Sequence, residues 1–280
     1  MEQPLTDGIT GSLRDRISSG MNTFNVCVGH LPFPEKHTHF IDLVIAPNVF
    51  SGGGKRKAIV PDDLYGENGH SLSEYGQLFW LYNKIDALAP DAEYVNIFQY
   101  RRFVSPQPVA GNRASNGSWI TTIQEDDLDA YAACFSRTYE GPCFNTPVRF
   151  PDGVLTQYAT QHVLEDMLNF VKYLIEIEMF SPRDAAKFLR SEHIIPACSV
   201  GIYDVKTFKK LFAYLERAAD FLHSPYFVAR EGYQRRSMGF LLERLQSFMI
   251  LELLGQGARF GQNMMLSESQ AVTSTTGRVT

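Results

Sequence analysis

Short apolar runs bounded by Gly, Pro and Asn constrain this chain most. Thr23–Val28 (TFNVCV) and Phe40–Ala46 (FIDLVIA) are two such runs. Segments this short and this apolar read as buried strands. Glu93–Val104 (EYVNIFQYRRFV) reads as a third strand, because Tyr94, Val95, Ile97 and Phe98 favour the pleated sheet. Between them, Leu78, Leu81, Tyr82, Ile85 and Leu88 recur with helical period, which predicts a helix over Ser71–Leu88. Ser71 and Glu74 have capping-box spacing at its start, and Pro90 ends it. Strands that alternate with helices argue for an α/β sheet domain.

Further along, Trp119–Ile123 reads as a short strand and Gln124–Phe135 as a short helix, with Glu125, Asp126 and Asp127 in its first turn. Pro142–Tyr158 reads as loop. Helices are expected over Thr160–Met179 and Pro182–Arg190, the second restarting at Ser181-Pro182. A strand follows at Cys198–Tyr203, then helices over Val205–Leu222 and Tyr233–Leu254. Residues 1–22 are polar and read as a flexible arm, and 255–280 read as a disordered tail rich in Ser, Thr, Gly and Gln. Residues 23–254 are therefore expected to form one α/β domain whose C-terminal part is helical.

Composition narrows the function classes. Hydrophobic residues make up 44% of the 280, which is enough for a sizeable core. A net charge of −5 counts against a nucleic-acid partner and requires any anionic ligand to meet a local basic cluster. Cys27, Cys134, Cys143 and Cys198 form no C-x-x-C pair. With no apolar stretch long enough to span a bilayer and no signal-peptide pattern in Met1–Ser19, the expectation is a cytoplasmic protein with reduced thiols.

Three segments carry candidate chemistry. Gln99-Tyr100-Arg101-Arg102-Phe103 sits at the end of an expected strand, where open α/β sheets bind ligands. Two adjacent guanidinium groups there suit phosphate oxygens if the strand has ended, since alternation would otherwise separate them. The same pair also reads as one solvated and one structural arginine. Arg236, Gly239, Phe240 and Glu243 fall at helical spacings and can share a face; taken alone, surface ion pairing plus a packing glycine is the simpler account of them. Ser73-Glu74-Tyr75-Gly76 opens a helix, and Glu74 reads as a cap or as a site carboxylate. The basic run Lys55-Arg56-Lys57 after Gly52–Gly54 is a candidate phosphate cover in a flexible loop. His37 and His39 lack further ligands for a metal, and His193 and Cys198 read as core residues before catalysts.

These segments together resemble a known family. Ser73-Glu74-Tyr75-Gly76, with Trp80 and Asn83, is similar to a SELTGLYWIWKN segment. Asp91-Ala92-Glu93-Tyr94-Val95 through Gln99-Tyr100-Arg101-Arg102-Phe103 resembles DADYVGLCHYRRYF. Gly239-Phe240-Leu241-Leu242-Glu243-Arg244-Leu245 resembles GFLAERL. The resemblance is to a bacterial glycosyltransferase-like domain-of-unknown-function family, often encoded with capsular or exopolysaccharide synthesis enzymes.

The resemblance implies a GT-A-like nucleotide-diphospho-sugar transferase sheet. It implies sugar transfer from a nucleotide-sugar to a polysaccharide or lipid-linked glycan, with peripheral membrane contact in the second case. Lys206, Lys209 and Lys210 are too few to argue for that contact alone. Glu74 and Glu243 become the catalytic candidates, and Tyr100, Arg101, Arg102 and Arg236 the diphosphate-binding ones. Gln99, which replaces the family's usual His, joins Tyr75, Gly239 and Arg244 as further site candidates. GT-A enzymes generally carry an Asp-x-Asp metal motif. Asp127-Leu128-Asp129 has that spacing but lies at an expected helix start, so a divalent metal has no clear motif and the arginines are expected in its place. Two alternatives stay open: a non-catalytic nucleotide- or glycan-binding protein on a degenerate transferase fold, and sugar transfer to protein or nucleic acid.

Overall fold

The computed structural model describes residues 22–31, 33–48, 54–109, 112–113, 120–128, 141–253 and 259–267. Strands β1 (Thr23–Val28), β2 (Leu43–Ala46), β3 (Arg56–Ile59) and β4 (Tyr94–Gln99) are mutually parallel in the order β3-β2-β1-β4. Every residue of β1 and β2 is buried, as expected of strands covered on both faces. The chain steps outward from β1 to β2 to β3, then crosses back to lay β4 on the other side of β1. That reversal leaves a crevice at the carboxyl ends of β1 and β4.

The sheet continues through β5 (Arg102–Ser105), β6 (Asn112–Arg113), β7 (Thr121–Ile123), β8 (Cys143–Asn145), β11 (Gly201–Asp204) and β12 (Arg259–Leu266). Beyond β4 the order is β11-β8-β12-β7-β6, with β5 paired to β12 off this path. β11 runs antiparallel to both of its neighbours, β4 and β8, so β8 again points the way β4 does. A separate ribbon pairs β9 (Val148–Arg149) with β10 (His193–Ile194).

The helices are α1 (Tyr75–Leu88), α2 (Gly153–Gln161), α3 (Leu164–Glu176), α4 (Pro182–Leu189), α5 (Val205–Ala219) and α6 (Ser237–Leu253). Phe24, Val26 and Val28 of β1 join Phe79, Phe212 and Leu245 in the main core, while Cys27 faces a smaller core with Phe33, Phe98 and Met264. Strand alternation thus feeds both faces of the sheet.

Several expectations need correction. The expected disordered tail contains β12, which lies between β8 and β7 and is half-buried. Its polar composition hides a strand held by neighbours: at Gly261 an added Cβ would meet the Ser105 carbonyl oxygen and Cys143 Sγ. The single strand expected over Glu93–Val104 is two, because the chain turns at Tyr100-Arg101 and β5 pairs with β12 instead. The Pro142–Tyr158 loop holds β8, β9 and the start of α2. The helix expected over Thr160–Met179 is broken at His162 and Val163, whose backbones are extended. The helix expected from Tyr233 opens as a 3-10 turn over Gly232–Arg236 before α6 begins.

Other expected elements hold with shifted ends. Ser181 and Asp184 cap α4 reciprocally, and the Asp204 side chain caps α5. Glu125–Leu128 form a 3-10 turn, and the remainder of that expected helix lies outside the described residues, as does almost all of the expected N-terminal arm.

Candidate active site

A cavity of about 810 Å³ opens over the carboxyl ends of β1, β2 and β4. Val28-Gly29-His30 leave β1, Pro47 follows β2, and Gln99–Arg102 leave β4; all line the cavity. The opposite wall comes from the end of α2, the start of α6 and the segment Ile194–Ala197. The cavity therefore straddles the reversal in strand order.

The end of β4 is what brings Arg101 and Arg102 together. Because β4 stops at Gln99, strand alternation no longer sends neighbouring residues to opposite faces, and Tyr100, Arg101 and Arg102 all reach the cavity. The Tyr100 ring meets the His30 ring edge-on at 5.3 Å, and the Arg101 guanidinium lies 5.3 Å from the Tyr100 ring centre. A Cβ at position 29 would come 3.3 Å from the Tyr100 ring, so Gly29 lets that ring lie over the chain.

Glu74 is held from four sides. Its Oε2 accepts from Ser73 Oγ at 2.6 Å and from Arg236 Nη2 at 3.5 Å, and its Oε1 from Gln99 Nε2 at 3.1 Å and Ser199 Oγ at 3.3 Å. Gln99 is thus a ligand of Glu74. The residue before it, Ser73, sits at φ 56° and ψ −134°, a conformation rare for anything but glycine. The capping box expected from Ser71 and Glu74 is not formed: α1 starts at Tyr75 and Glu74 makes no side-chain cap.

Glu243 is held differently. Its Oε2 accepts from Arg244 Nη1 at 2.9 Å, and 32% of its side chain remains open to the cavity. Burial pushes its carboxyl above the usual range; the charge of Arg244 opposes this, that of Glu74 adds to it, and those of Arg236 and Arg102 oppose it. Arg244 is itself buried and donates to Gln157 Oε1 at 3.3 and 3.2 Å and to the Phe240 carbonyl at 3.2 Å. It also approaches His162 Nε2 at 3.4 Å. Burial, then the Arg244 charge, pushes His162 down to about 4.

Of the residues singled out in the sequence, Glu74, Gln99, Tyr100, Arg101, Arg102, Arg236, Glu243 and Arg244 line this one cavity. Tyr75 and Gly239 do not. Tyr75 is fully buried and donates to Gln246 Oε1 at 2.7 Å. Gly239 is a packing glycine: a Cβ there would lie 2.8 Å from Ser73 Cβ and 3.1 Å from the Leu72 carbonyl oxygen. Its lack of a side chain lets α6 press on the strained Ser73 turn that aims Glu74.

The basic run also falls elsewhere. Lys55 pairs with Asp42 at 2.6 Å, while Arg56 and Lys57 lie on the edge strand β3, where charge discourages further pairing. His37 and His39 lie in a 3-10 turn bonded to the carbonyls of Glu125 and Lys36. His193 is exposed on β10 and Cys198 is buried beneath Glu243.

Sequence reading missed Gly29, His30, Gln157, His162, Ser199 and Tyr233. Gly29 and His30 follow β1 directly, so the strand-end rule applied to β1 would have found them. The others carry no motif.

The two carboxylates singled out in the sequence are engaged by other groups, while His30, Asp62 and His70 also line the cavity. Glu74 is taken by four donors and Glu243 by Arg244, with Arg102 and Arg236 acting on its charge. Asp127 accepts from the Gln124 backbone at 3.2 Å in its own turn, away from the cavity, and Asp129 lies outside the described residues. Among the described residues no three His, Cys, Asp or Glu side chains cluster to hold an ion.

No protein-family model matches the sequence, and no curated protein matches it either. Solved structures do. One is the apo structure of WbbM, a bifunctional glycosyltransferase, with a TM-score of 0.62 at 14% identity. The match covers 88% of this chain and 46% of that one, so the chain spans less than half of WbbM's solved length. This chain has the α/β fold of a glycosyltransferase structure.

Proposed function

We propose that the protein transfers a sugar from a nucleotide-diphosphate donor to a polysaccharide or lipid-linked glycan acceptor. One observation carries this reading: Arg101, Arg102 and Arg236 share a strand-end cavity with a carboxylate, Glu243, that is open on one side. Cationic donors aimed at a departing diphosphate stabilise charge where it develops. The fold shared with a glycosyltransferase structure and the resemblance of the QYRRF and GFLLERL segments to a capsule-associated family support it.

In this reading Glu243 accepts the proton of the acceptor hydroxyl as that oxygen attacks the anomeric carbon. The bond from that carbon to the diphosphate oxygen breaks, and its electron pair leaves with the nucleoside diphosphate. Arg101, Arg102 and Arg236 hold the charge so released. A carboxyl pushed upward by burial is a stronger base than an exposed one, which suits proton abstraction near neutral pH. Glu74, already bound to four donors, orients Arg236 and Gln99.

Calorimetry against UDP-, GDP-, CMP- and dTDP-sugars tests the donor assignment. Binding of a UDP-, GDP- or dTDP-sugar, followed by release of its nucleoside diphosphate on addition of a glycan acceptor, is expected, with the CMP-sugar, whose leaving group would be CMP, as the monophosphate comparison. Folded protein that binds none of the four ends the donor reading.

A further inference from the structure

Opposite the strand-end pair Arg101 and Arg102, the cavity lining adds aromatic chemistry. There the rings of His162, Phe240 and Tyr233 form a tier. His162 lies 4.0 Å from Phe240 with planes 23° apart, and 6.1 Å from Tyr233 with planes 15° apart. Tyr233 and Phe240 are 5.1 Å apart at 33°. The inner two rings are buried, whereas Tyr233 is 65% exposed and lines the cavity. A tyrosine so exposed usually swings in solvent, but this one rests on a braced support. Its support, His162, is fixed by Gln234 Oε1 at 3.3 Å and by Arg244, and Gln234 in turn donates to the Gln161 carbonyl at 2.9 Å.

The ring tier is edged by amides. Gln157 and Gln161 line the cavity beside it, 3.1 Å apart and bonded to each other. Burial holds His162 neutral above about pH 4, Glu243 pairs the buried Arg244, and Arg236, whose guanidinium lies 5.6 Å from the Phe240 ring centre, pairs with Glu74, so the charges bordering the tier are largely matched, with Arg235 beside them. A flat ring with an open face beside amide donors and acceptors matches a sugar, which has an apolar C–H face and a hydroxyl rim. A diphosphate would find Arg101 and Arg102 at the strand ends, with Arg236 at the border between the two. Glu243 lies between the two, paired to Arg244 on this side and subject to Arg102 on the other.

We propose that this tier is the acceptor subsite and that Tyr233 is the platform on which the acceptor's terminal sugar ring stacks. The inference rests on the glycosyl-transfer reading above. It assigns acceptor recognition to Tyr233 near the start of the turn before α6, a turn whose last residue, Arg236, serves the donor.

Saturation-transfer NMR with a panel of methyl glycosides, run beside calorimetry with UDP, tests it on the full chain. The wild type is expected to bind at least one glycoside. Tyr233→Ala should weaken that binding about tenfold, the upper range for one aromatic contact. Tyr233→Phe should retain it, since the phenol makes no hydrogen bond to any described residue, and UDP affinity should not follow the substitution. Exposure of Tyr233 makes both variants compatible with folding, which circular dichroism checks. The proposal is overturned if no glycoside binds the wild type, or if Tyr233→Ala binds as well as the wild type. It is equally overturned if Tyr233→Ala weakens UDP and spares the glycoside, because the platform would then serve a nucleobase. Failure of UDP and of every nucleotide-sugar to bind the wild type would count against the donor reading alone, since glycoside binding is scored separately.

Discussion

The two walls of the cavity are built by different routes. The strand-end wall comes from consecutive residues: Gly29-His30 after β1 and Gln99 through Arg102 after β4. Its geometry follows from where two buried strands stop. The helical wall is assembled from Gln157, His162, Tyr233, Arg235, Arg236, Phe240, Glu243 and Arg244, which come from three separate segments. It is held by side-chain bonds among them, chiefly those of Arg244 and His162. One wall collects charge by local sequence; the other sets the state of a carboxylate by burial and remote partners.

The contrast between Glu74 and Glu243 gives its sharpest test. Glu243→Gln keeps the shape but removes the base, so turnover is expected to fall by about 100- to 10,000-fold with donor affinity retained. Single-turnover kinetics with a donor fixed by calorimetry checks this. A fall in affinity with turnover preserved would reverse the roles of the two walls. The next effect belongs to the strand-end wall. Arg101→Ala with Arg102→Ala removes two charge-assisted contacts, each contributing about 1.5–3 kcal/mol, so nucleotide-sugar affinity should drop about 100-fold or more. Titration calorimetry reads this directly, and unchanged affinity would place the diphosphate elsewhere.

Smaller effects probe how the walls are joined. Gly239→Ala drives a methyl group against Ser73 and the Leu72 carbonyl, and overpacking of this kind costs about 1–3 kcal/mol. A lower Tm is expected together with reduced turnover, because the displaced turn carries Glu74. A variant with full stability and full turnover would separate α6 from the site. The smallest effect is a pH slope. His162 is pushed down to about 4 from 6.5, so between those values the unfolded chain binds more protons than the folded one. Stability should therefore fall as pH drops from about 6.5 towards 4. Half-buried Glu243 and buried Asp166, both pushed upward, work in the opposite sense. His162→Phe should flatten the decline in Tm over this window; an unchanged slope would show that His162 is not the group responsible.

Much of the strand-end wall was legible in the sequence. β1 and β2 are continuous apolar runs, and the Tyr100-Arg101-Arg102 cluster follows a recognisable strand. The helical spacing of Arg236, Phe240 and Glu243 was also legible, since a single helical face suffices to align them. Tyr75 and Gly239 show the limit. Both lie in segments that resemble the family's motifs, yet one is core and the other is contact surface for a backbone turn. A motif marks where side chains matter without saying whether they face a ligand or a neighbour.

β12 marks the other limit. Arg259–Leu266 alternates weakly and sits among polar residues, so local pattern offered no strand. It is ordered by partners remote in the chain, β8, β7 and β5, with Gly261 admitting the close approach. The amino-acid order by itself determined the buried strands β1 and β2, the α/β class and the arginine pair at a strand end, because each depends on short-range periodicity; the parallel pairing and the edge strand β3 came from the tertiary structure. Tertiary structure alone decided that β12 completes the sheet, that Glu74 is saturated while Glu243 stays open, and that His162 and Tyr233 share a wall. Each of those outcomes depends on burial and hydrogen bonds between residues far apart in the chain, and such energies leave no trace in local sequence.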